Sequence, residues 1–297
     1  MASFIQRLKK PTGFSVGLFI HPRRADARDF AERKLIPYFK RRRIEVCRNE
    51  GGDLFNIAVG GDGCLLGAFR RYPRHAVPAI GIQTGDASAM LELKKQDALA
   101  QLDKIFSGQV RLVKRMRVYT RLAAMPVDVD EFQNPLYRVG GDGPAVLFTA
   151  FNEMVIRSLD GKVISMDCYI DGNLQFPIVG DGAIVATPTG STGHSLSAGG
   201  PAVEFSSQNI ILTPLAPIDR VTPCWIFEGG HTVALRLRVD RLRHIGFCVD
   251  GIQHVLVPGE HHIEFKKSPY PALLIRLLDR PFMFARAVYA KGRIYRK

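Results

Sequence analysis

The tightest constraint on this chain is the run Asn56-Ile57-Ala58-Val59-Gly60-Gly61-Asp62-Gly63, followed by Cys64-Leu65-Leu66-Gly67-Ala68-Phe69. A short apolar segment bounded by glycines predicts a strand buried on both faces, and the apolar spacing after Gly63 predicts a helix. The Gly-Gly-Asp-Gly turn therefore falls at a strand end, where an open α/β sheet binds its ligands. Glycines let the backbone approach a phosphate closely and offer N–H groups to it, and Asp62 is the one acid in the turn. The pattern reads as a phosphate cradle with a single base, against the alternative of a tight turn carrying a solvated aspartate. The same pentapeptide recurs at Val139-Gly140-Gly141-Asp142-Gly143, after a polar stretch with Pro135 and before Pro144 and the strand-like residues 145–148. That copy predicts a hairpin loop with Asp142 in solvent.

Periodicity divides the chain in two. Strands are expected over residues 14–20, 44–47, 54–59 and 76–83, with an amphipathic helix over 25–42 interrupted near Pro37. Alternating strands and helices mean a parallel sheet with helices on its faces. From about Arg111 the pattern changes to short β-branched runs over 118–123, 145–156, 163–170, 183–186, 233–239, 244–249 and 262–265, which is all-β in character. Asp171-Gly172 and Asp250-Gly251 are hairpin-turn signals, and Pro258-Gly259 marks another turn. Residues 281–295 read as a closing helix.

With 297 residues, 46% of them hydrophobic, the chain can bury a large core and fill two domains. Its 5 cysteines are scattered without C-x-x-C spacing, which fits neither a disulfide framework nor a zinc site and suits a reducing compartment. No apolar run approaches a membrane span. The early residues Arg7, Lys9, Lys10, Arg23 and Arg24 faintly resemble a transit peptide, but the strand at 14–20 already belongs to the fold. A net charge of +13 is spread over residues 41–43, 114–121, 236–243 and 291–297 with no RNA or DNA motif, so it points away from nucleic acid and suits small anionic substrates. The His261-His262 pair and Arg236/Arg238 read as surface features.

Further motifs lie downstream in a fixed order: Phe151-Asn152-Glu153-Met154-Val155-Ile156, then Gly180-Asp181-Gly182, then residues 186–201, with Thr187-Pro188-Thr189-Gly190-Ser191-Thr192-Gly193-His194-Ser195-Leu196-Ser197 at their centre. Together with Gly60 to Gly63 this set closely resembles the signature of NAD kinases, and the resemblance covers most of the chain. It implies an α/β N-terminal domain with a parallel, Rossmann-like sheet (residues 1–115), an all-β NAD-binding domain (116–272), and a C-terminal segment (273–297) that packs back on the first. It implies transfer of the γ-phosphoryl of ATP or polyphosphate to the 2′-hydroxyl of the adenosine ribose of NAD. Such chemistry needs charge neutralisation at the phosphates and a carboxylate within reach of that hydroxyl, so Asp62 is the candidate general base. Gly60, Gly61 and Gly63 would serve the phosphates, and Mg²⁺ or another divalent cation would ride on the donor with few or no protein ligands.

Asn152 and Glu153 interrupt an apolar strand pattern, where a buried amide and carboxylate must find partners. They read either as a structural pair or, by the resemblance, as contacts to the adenosine of NAD. The resemblance also puts Thr192, Gly193, His194, Ser195, Leu196, Ser197 and Ala216 around the dinucleotide. It sets Asp181 at the nicotinamide end, reaching from a neighbouring subunit of a homodimer or homotetramer in the cytoplasm. Four departures from the family pattern stand out. Cys64 replaces a threonine, removing a hydroxyl from the phosphate loop; residues 86–90 replace His-Leu-Gly-Phe; His194 replaces a tyrosine; and residues 217–220 replace Pro-His-Ser-Leu. A lipid or sphingoid kinase of the same superfamily and an NAD-binding protein without catalysis are the rival readings.

Overall fold

The computed structural model describes residues 2–74, 77–85, 88, 90–130, 134–219, 222–239 and 244–278. The chain forms two compact units, one made of residues up to Lys114 together with those from Ala272 on, the other of Arg115–Pro271. The closing helix expected over 281–295 lies outside the described residues.

The first unit contains α1 (Ala2–Lys9), β1 (Ser15–Ile20), α2 (Ala25–Phe30), α3 (Ile36–Arg41), β2 (Glu45–Arg48), β3 (Phe55–Gly60), α4 (Asp62–Arg71), β4 (Ala79–Gln83), β5 (Leu93–Lys94), α5 (Ala98–Phe106) and β6 (Val110–Arg115). Strands follow the order β2, β1, β3, β4, then the late strand Ala272–Leu277, then β6, with β5 also on β4. The pairs from β2 through β4 are parallel, as is the pairing of the late strand with β4. Val16, Leu18, Ile57, Ala58 and Val59 are fully buried, which explains why β1 and β3 read as continuous apolar runs. The chain leaves β1 towards β2 on one side and reaches β3 on the other, so the carboxyl ends of β1 and β3 form the topological switch point.

The interruption expected near Pro37 takes a particular form. Helix does not stop; Ala31–Leu35 makes a π-turn between α2 and α3, with the Ile36 N–H bonded to the Ala31 carbonyl. Pro37 has no N–H for an α-helical bond, and the wider turn just before it absorbs the mismatch.

The second unit is one antiparallel-rich sheet of β7 (Val118–Val129), β8 (Pro135–Val139), β9 (Ala145–Ala150), β10 (Glu153–Ser158), β11 (Ile164–Ile170), β12 (Asn173–Gly180), β13 (Gly182–Ala186), β14 (Asn209–Leu215), β15 (Trp225–Glu228), β16 (Val233–Val239), β17 (Ile245–Val249), β18 (Ile252–Leu256) and β19 (Gly259–Lys267). Its core gathers Met154, Val185, Leu212, Leu235, Phe247, Ile263 and Phe265. Three expectations need correction. Residues 145–156 are two strands separated by a bend at Phe151-Asn152. The second Gly-Gly-Asp-Gly is not a hairpin loop, because β8 and β9 pair with successive parts of β7 rather than with each other; Asp142 is exposed, as expected. His261 is buried, its Nε2 2.8 Å from the Val257 carbonyl, whereas His262, Arg236 and Arg238 do lie at the surface. Among the described residues no helix is long and apolar enough to cross a membrane.

Candidate active site

The first unit's contribution sits at the switch point. β3 ends on Gly60 at φ +146°, a conformation open to glycine, and a Cβ there would stand 2.8 Å from both Cys64 Sγ and His21 Cβ. Gly61 caps α4 with no side chain capping it, and a Cβ on Gly61 or Gly63 would meet nothing within 4 Å. A ligand can therefore come close to the backbone at Gly61 and Gly63, at the positive end of the α4 dipole, an arrangement that suits an anion. Asp62 opens α4 half-buried, and its Oδ1 accepts hydrogen bonds from the Met90 N–H at 3.1 Å and from the Ser88 hydroxyl. Ser88 belongs to the stretch that departs from the family pattern, yet its hydroxyl donates to the carboxylate; Asp86, Ala87 and Ala89 lie outside the described residues.

Cys64 is not part of the phosphate-facing surface. It is buried beneath the loop, its thiol directed at the Val59 carbonyl 3.5 Å away. The missing threonine hydroxyl is therefore missing from the packing under the turn rather than from the cradle itself.

In the second unit, the bend before β10 is held by a residue read from sequence only as a turn former. Asp250 occupies the turn between β17 and β18 at φ +47°, is 7% exposed, and turns its carboxylate inward. Oδ2 accepts the Phe151 N–H at 2.8 Å, and Oδ1 accepts those of Asn152 at 2.7 Å and Glu153 at 3.2 Å. Arg117 lies close enough to feel that charge. Burial pulls the Arg117 pKa down to about 10, Asp250 opposing the shift, and its Nε donates to the Tyr270 carbonyl at 2.7 Å. Thr187 ties the bend from the other side: its hydroxyl donates to Phe151 O at 2.7 Å and accepts the Gly190 N–H at 3.1 Å, while its own N–H bonds Asn152 O at 2.8 Å. Asn152 is thus in a bend, half-buried, rather than inside a strand.

The loop after β13 folds into a 3₁₀ turn, Gly190–Thr192, and a single turn of helix, α6 (His194–Ser197). A Cβ on Gly190 would collide with Asn152 O, so this turn packs directly on the bend. Glu153 faces the same turn, its Oε2 3.8 Å from where a Cβ of Gly193 would stand. His194, Leu196 and Ser197 are exposed, whereas Thr192 and Ser195 turn inward. Thr192 Oγ1 donates to Thr189 O at 3.3 Å, and the fully buried Ser195 hydroxyl pairs with Thr213 at 2.8 Å. The side chains of these two residues brace the turn from below. Partial desolvation, with Arg157 adding its positive charge, holds the His194 pKa below its ordinary value.

Asp181 and Ala216 form a separate group. Both are exposed, the Asp181 N–H bonds Leu215 O at 2.9 Å, and Ala216 adopts φ +40°, a strained conformation of the kind that clusters at functional sites. In the register of β13, Ala186 faces Glu153 at one end while Gly182 faces Leu215 at the other. Strand β13 therefore separates Asp181 and Ala216 from Asn152, Glu153 and the 190–197 turn by roughly 15 Å of extended chain.

Residues 16–110 match the family described as the ATP-NAD kinase N-terminal domain, and residues 151–277 match the ATP-NAD kinase C-terminal domain. The chain belongs to the NAD kinase family. It is 32% identical to the NAD kinase of Symbiobacterium thermophilum over 225 residues, 74% of this chain and 72% of that one. Against the NAD kinase of Pyrococcus furiosus the identity is 27% over 256 residues, covering 86% and 82%. Yeast NADH kinase, solved with NADH, shares the fold at TM-score 0.74 and 16% identity over 95% of this chain and 87% of its own. An NAD kinase from Archaeoglobus fulgidus solved with ATP superposes at TM-score 0.67, 23% identity, over 93% of this chain and 98% of that one.

Within this member of the NAD kinase family, sequence reasoning missed Ser88 and Asp250 as supports of the site. Ser88 lay in a stretch whose pattern had been lost. Asp250 carries the same Asp-Gly signal as Asp171-Gly172, whose aspartate is exposed and bonds His231 and the Thr232 N–H instead. Thr187 stood inside the recognised motif, but only the pairing of β13 with β10 brings its hydroxyl to the Phe151 carbonyl.

Proposed function

We propose that this chain is an NAD kinase, moving the γ-phosphoryl of ATP onto the 2′-hydroxyl of the adenosine ribose of NAD to give NADP. The observation that carries the reading is Asp62, a lone carboxylate fixed by Ser88 and Met90 in a strand-to-helix glycine turn, in a chain matched by both halves of the ATP-NAD kinase family. Asp62 accepts the proton of the attacking hydroxyl, and the amides of the Gly61 to Gly63 turn receive the donor phosphates. Asn152 and Glu153, set by Asp250 and Thr187, hold the adenosine ribose, and the exposed His194, Leu196 and Ser197 line the dinucleotide beside Gly193. NAD or NADH and ATP as ligands are supported by the relatives solved with NADH and with ATP.

A divalent cation such as Mg²⁺ would neutralise charge on the donor phosphates. Asp62, whose Oδ1 already accepts two hydrogen bonds, fits an ion carried mainly by the donor better than a site built by the protein, and among the described residues no group of three or more His, Cys, Asp or Glu could hold a metal. The family membership supports a homodimer or homotetramer in which the exposed Asp181 serves a neighbouring copy. Five scattered cysteines without C-x-x-C spacing suit a reducing compartment, the cytoplasm.

The test is incubation of purified protein with NAD, Mg²⁺ and either ATP or polyphosphate, with NADP read by a coupled dehydrogenase. NADP formation is expected; its absence with every donor, while a sphingoid or diacylglycerol substrate is phosphorylated, would overturn the reading.

A further inference from the structure

The glycine turn carries a negative charge of its own and no cation, although a phosphoryl donor brings several negative charges to it. Cations do stand at the switch point, on the turn that follows β1. His21 is anchored there through its backbone N–H to Val59 O at 3.0 Å, and its Cβ lies against Gly60. The Arg23 N–H donates to His21 Nδ1 at 3.3 Å and the Arg24 N–H to His21 O at 3.4 Å, so the imidazole is an acceptor at Nδ1 and sets the direction of the turn. Arg24 is a strut. Its guanidinium grips Asp26 at 3.0 and 3.1 Å, a hydrogen bond that holds the Asp26 carboxyl below its ordinary pKa, and it lies over Gly85, where any Cβ would collide with it. The Thr84 N–H closes the ring by donating to Gly60 O at 3.2 Å. The ends of β1, β3 and β4 are thereby cross-braced around the glycine turn, and the exposed Arg23 is the cation this frame carries towards solvent.

Resting on the kinase reading above, we infer that the His21-Pro22-Arg23-Arg24 turn is a second wall of the phosphoryl-donor site, with Arg23 contacting the donor's phosphate oxygens and His21 acting as its positioning residue. The chemistry is that of a guanidinium fork matched to a polyanionic phosphate chain, supplied beside an amide cradle whose only charged side chain, Asp62, is negative. A solvated turn would need none of this bracing. The same wall would accept a nucleoside triphosphate or a linear polyphosphate, since both present repeated phosphate oxygens.

Steady-state kinetics separate the outcomes. Arg23→Ala should raise the KM for ATP about 10-fold or more, the loss expected for one charge-assisted contact, and leave the KM for NAD within about twofold. Arg23→Lys should recover part of the loss. His21→Asn, which keeps an acceptor for the Arg23 N–H, should stay near the parent protein, while His21→Ala should move the ATP constant in the same direction as Arg23→Ala. Melting curves would confirm that all four variants are folded. An ATP constant unchanged in Arg23→Ala, or equal rises in both constants, overturns the inference. If the parent protein makes no NADP with any donor, the kinase reading fails by itself, and calorimetric titration with ATP then decides the wall: weaker binding by Arg23→Ala supports it, and equal or absent binding by the parent refutes it.

Discussion

Substituting Asp250 by asparagine would test whether the adenosine-side bend is held from behind. The carboxylate receives three backbone N–H groups. An amide oxygen placed at Oδ1 keeps two of them as weaker neutral bonds, and sets an NH₂ group against the buried Phe151 N–H. Losing one charge-assisted bond costs about 1.5–3 kcal/mol and weakening two others adds about 0.5 kcal/mol each, so the variant should lose roughly 2–4 kcal/mol. Against a total stability of about 5–15 kcal/mol the protein remains folded. Melting temperature should fall by about 5–15 °C for a unit of this size. The bend carries Asn152 and Glu153, so the KM for NAD should rise about 10-fold while the KM for ATP changes little. Asp171→Asn is the matched control, because it alters the same Asp-Gly signal at an exposed hairpin. Differential scanning calorimetry and two-substrate kinetics give both readouts. A melting temperature within about 1 °C of the parent, with an unchanged NAD constant, would refute the reasoning.

Other substitutions bear on the remaining assignments. Asp62→Asn keeps the shape of the turn and its backbone but removes the base, so kcat should fall by about 10²-fold or more with little change in NAD affinity, measured by calorimetry; unchanged turnover would exclude Asp62 as the base. Cys64→Thr, with its hydroxyl able to take the place of the thiol at Val59 O, should leave the ATP constant within about twofold, and a large change would mean the residue reaches the donor after all. Asp181→Ala should raise the NAD constant and spare the ATP constant, and when mixed with Asp62→Asn under subunit exchange it should regain activity if sites are shared between copies. His194 has a depressed pKa in the fold, so its effect on stability is absent above its unfolded value of about 6.5 and grows unfavourable as pH falls below it. Thermal melts of the parent and His194→Gln should therefore diverge between pH 7 and pH 5, the parent losing more; parallel curves would contradict the shift.

The architecture was legible because periodicity reports burial. β1 and β3 showed as apolar runs since both their faces are covered, and β16 showed alternation since one face is wet. Strand partners were not legible: the second Gly-Gly-Asp-Gly looked like a hairpin because local sequence does not reveal that β7 is long enough to pair with both of its neighbours. The site divides in the same way. Gly60 and Asp62 announced themselves because backbone conformation and chemistry are written in residue type. Ser88 and Asp250 did not, because an acceptor or donor becomes a support only when the chain brings a distant backbone N–H or carboxylate to it. Ser195 and Thr192 sat within the recognised motif, and only packing shows that their hydroxyls face inward.

The strand Ala272–Leu277 enters the first unit's sheet beside β4, and its Arg276 meets Glu92 at 2.5 Å where both side chains are 9% exposed, with the Leu277 N–H on the same carboxylate at 3.1 Å. On a ribosome, Glu92 leaves the exit tunnel long before its partner is made. At about 5–20 residues per second, the first unit must wait roughly 10–30 s for the strand that completes its sheet, holding the Ala79 end of β4 open and Glu92 without Arg276. The second unit, contiguous in sequence, has no such delay. Newborn chains should therefore be most vulnerable to proteases and most dependent on chaperones in the segment translated first, and a stop codon placed just after Pro271 should cost the first unit its folding while leaving the second able to form.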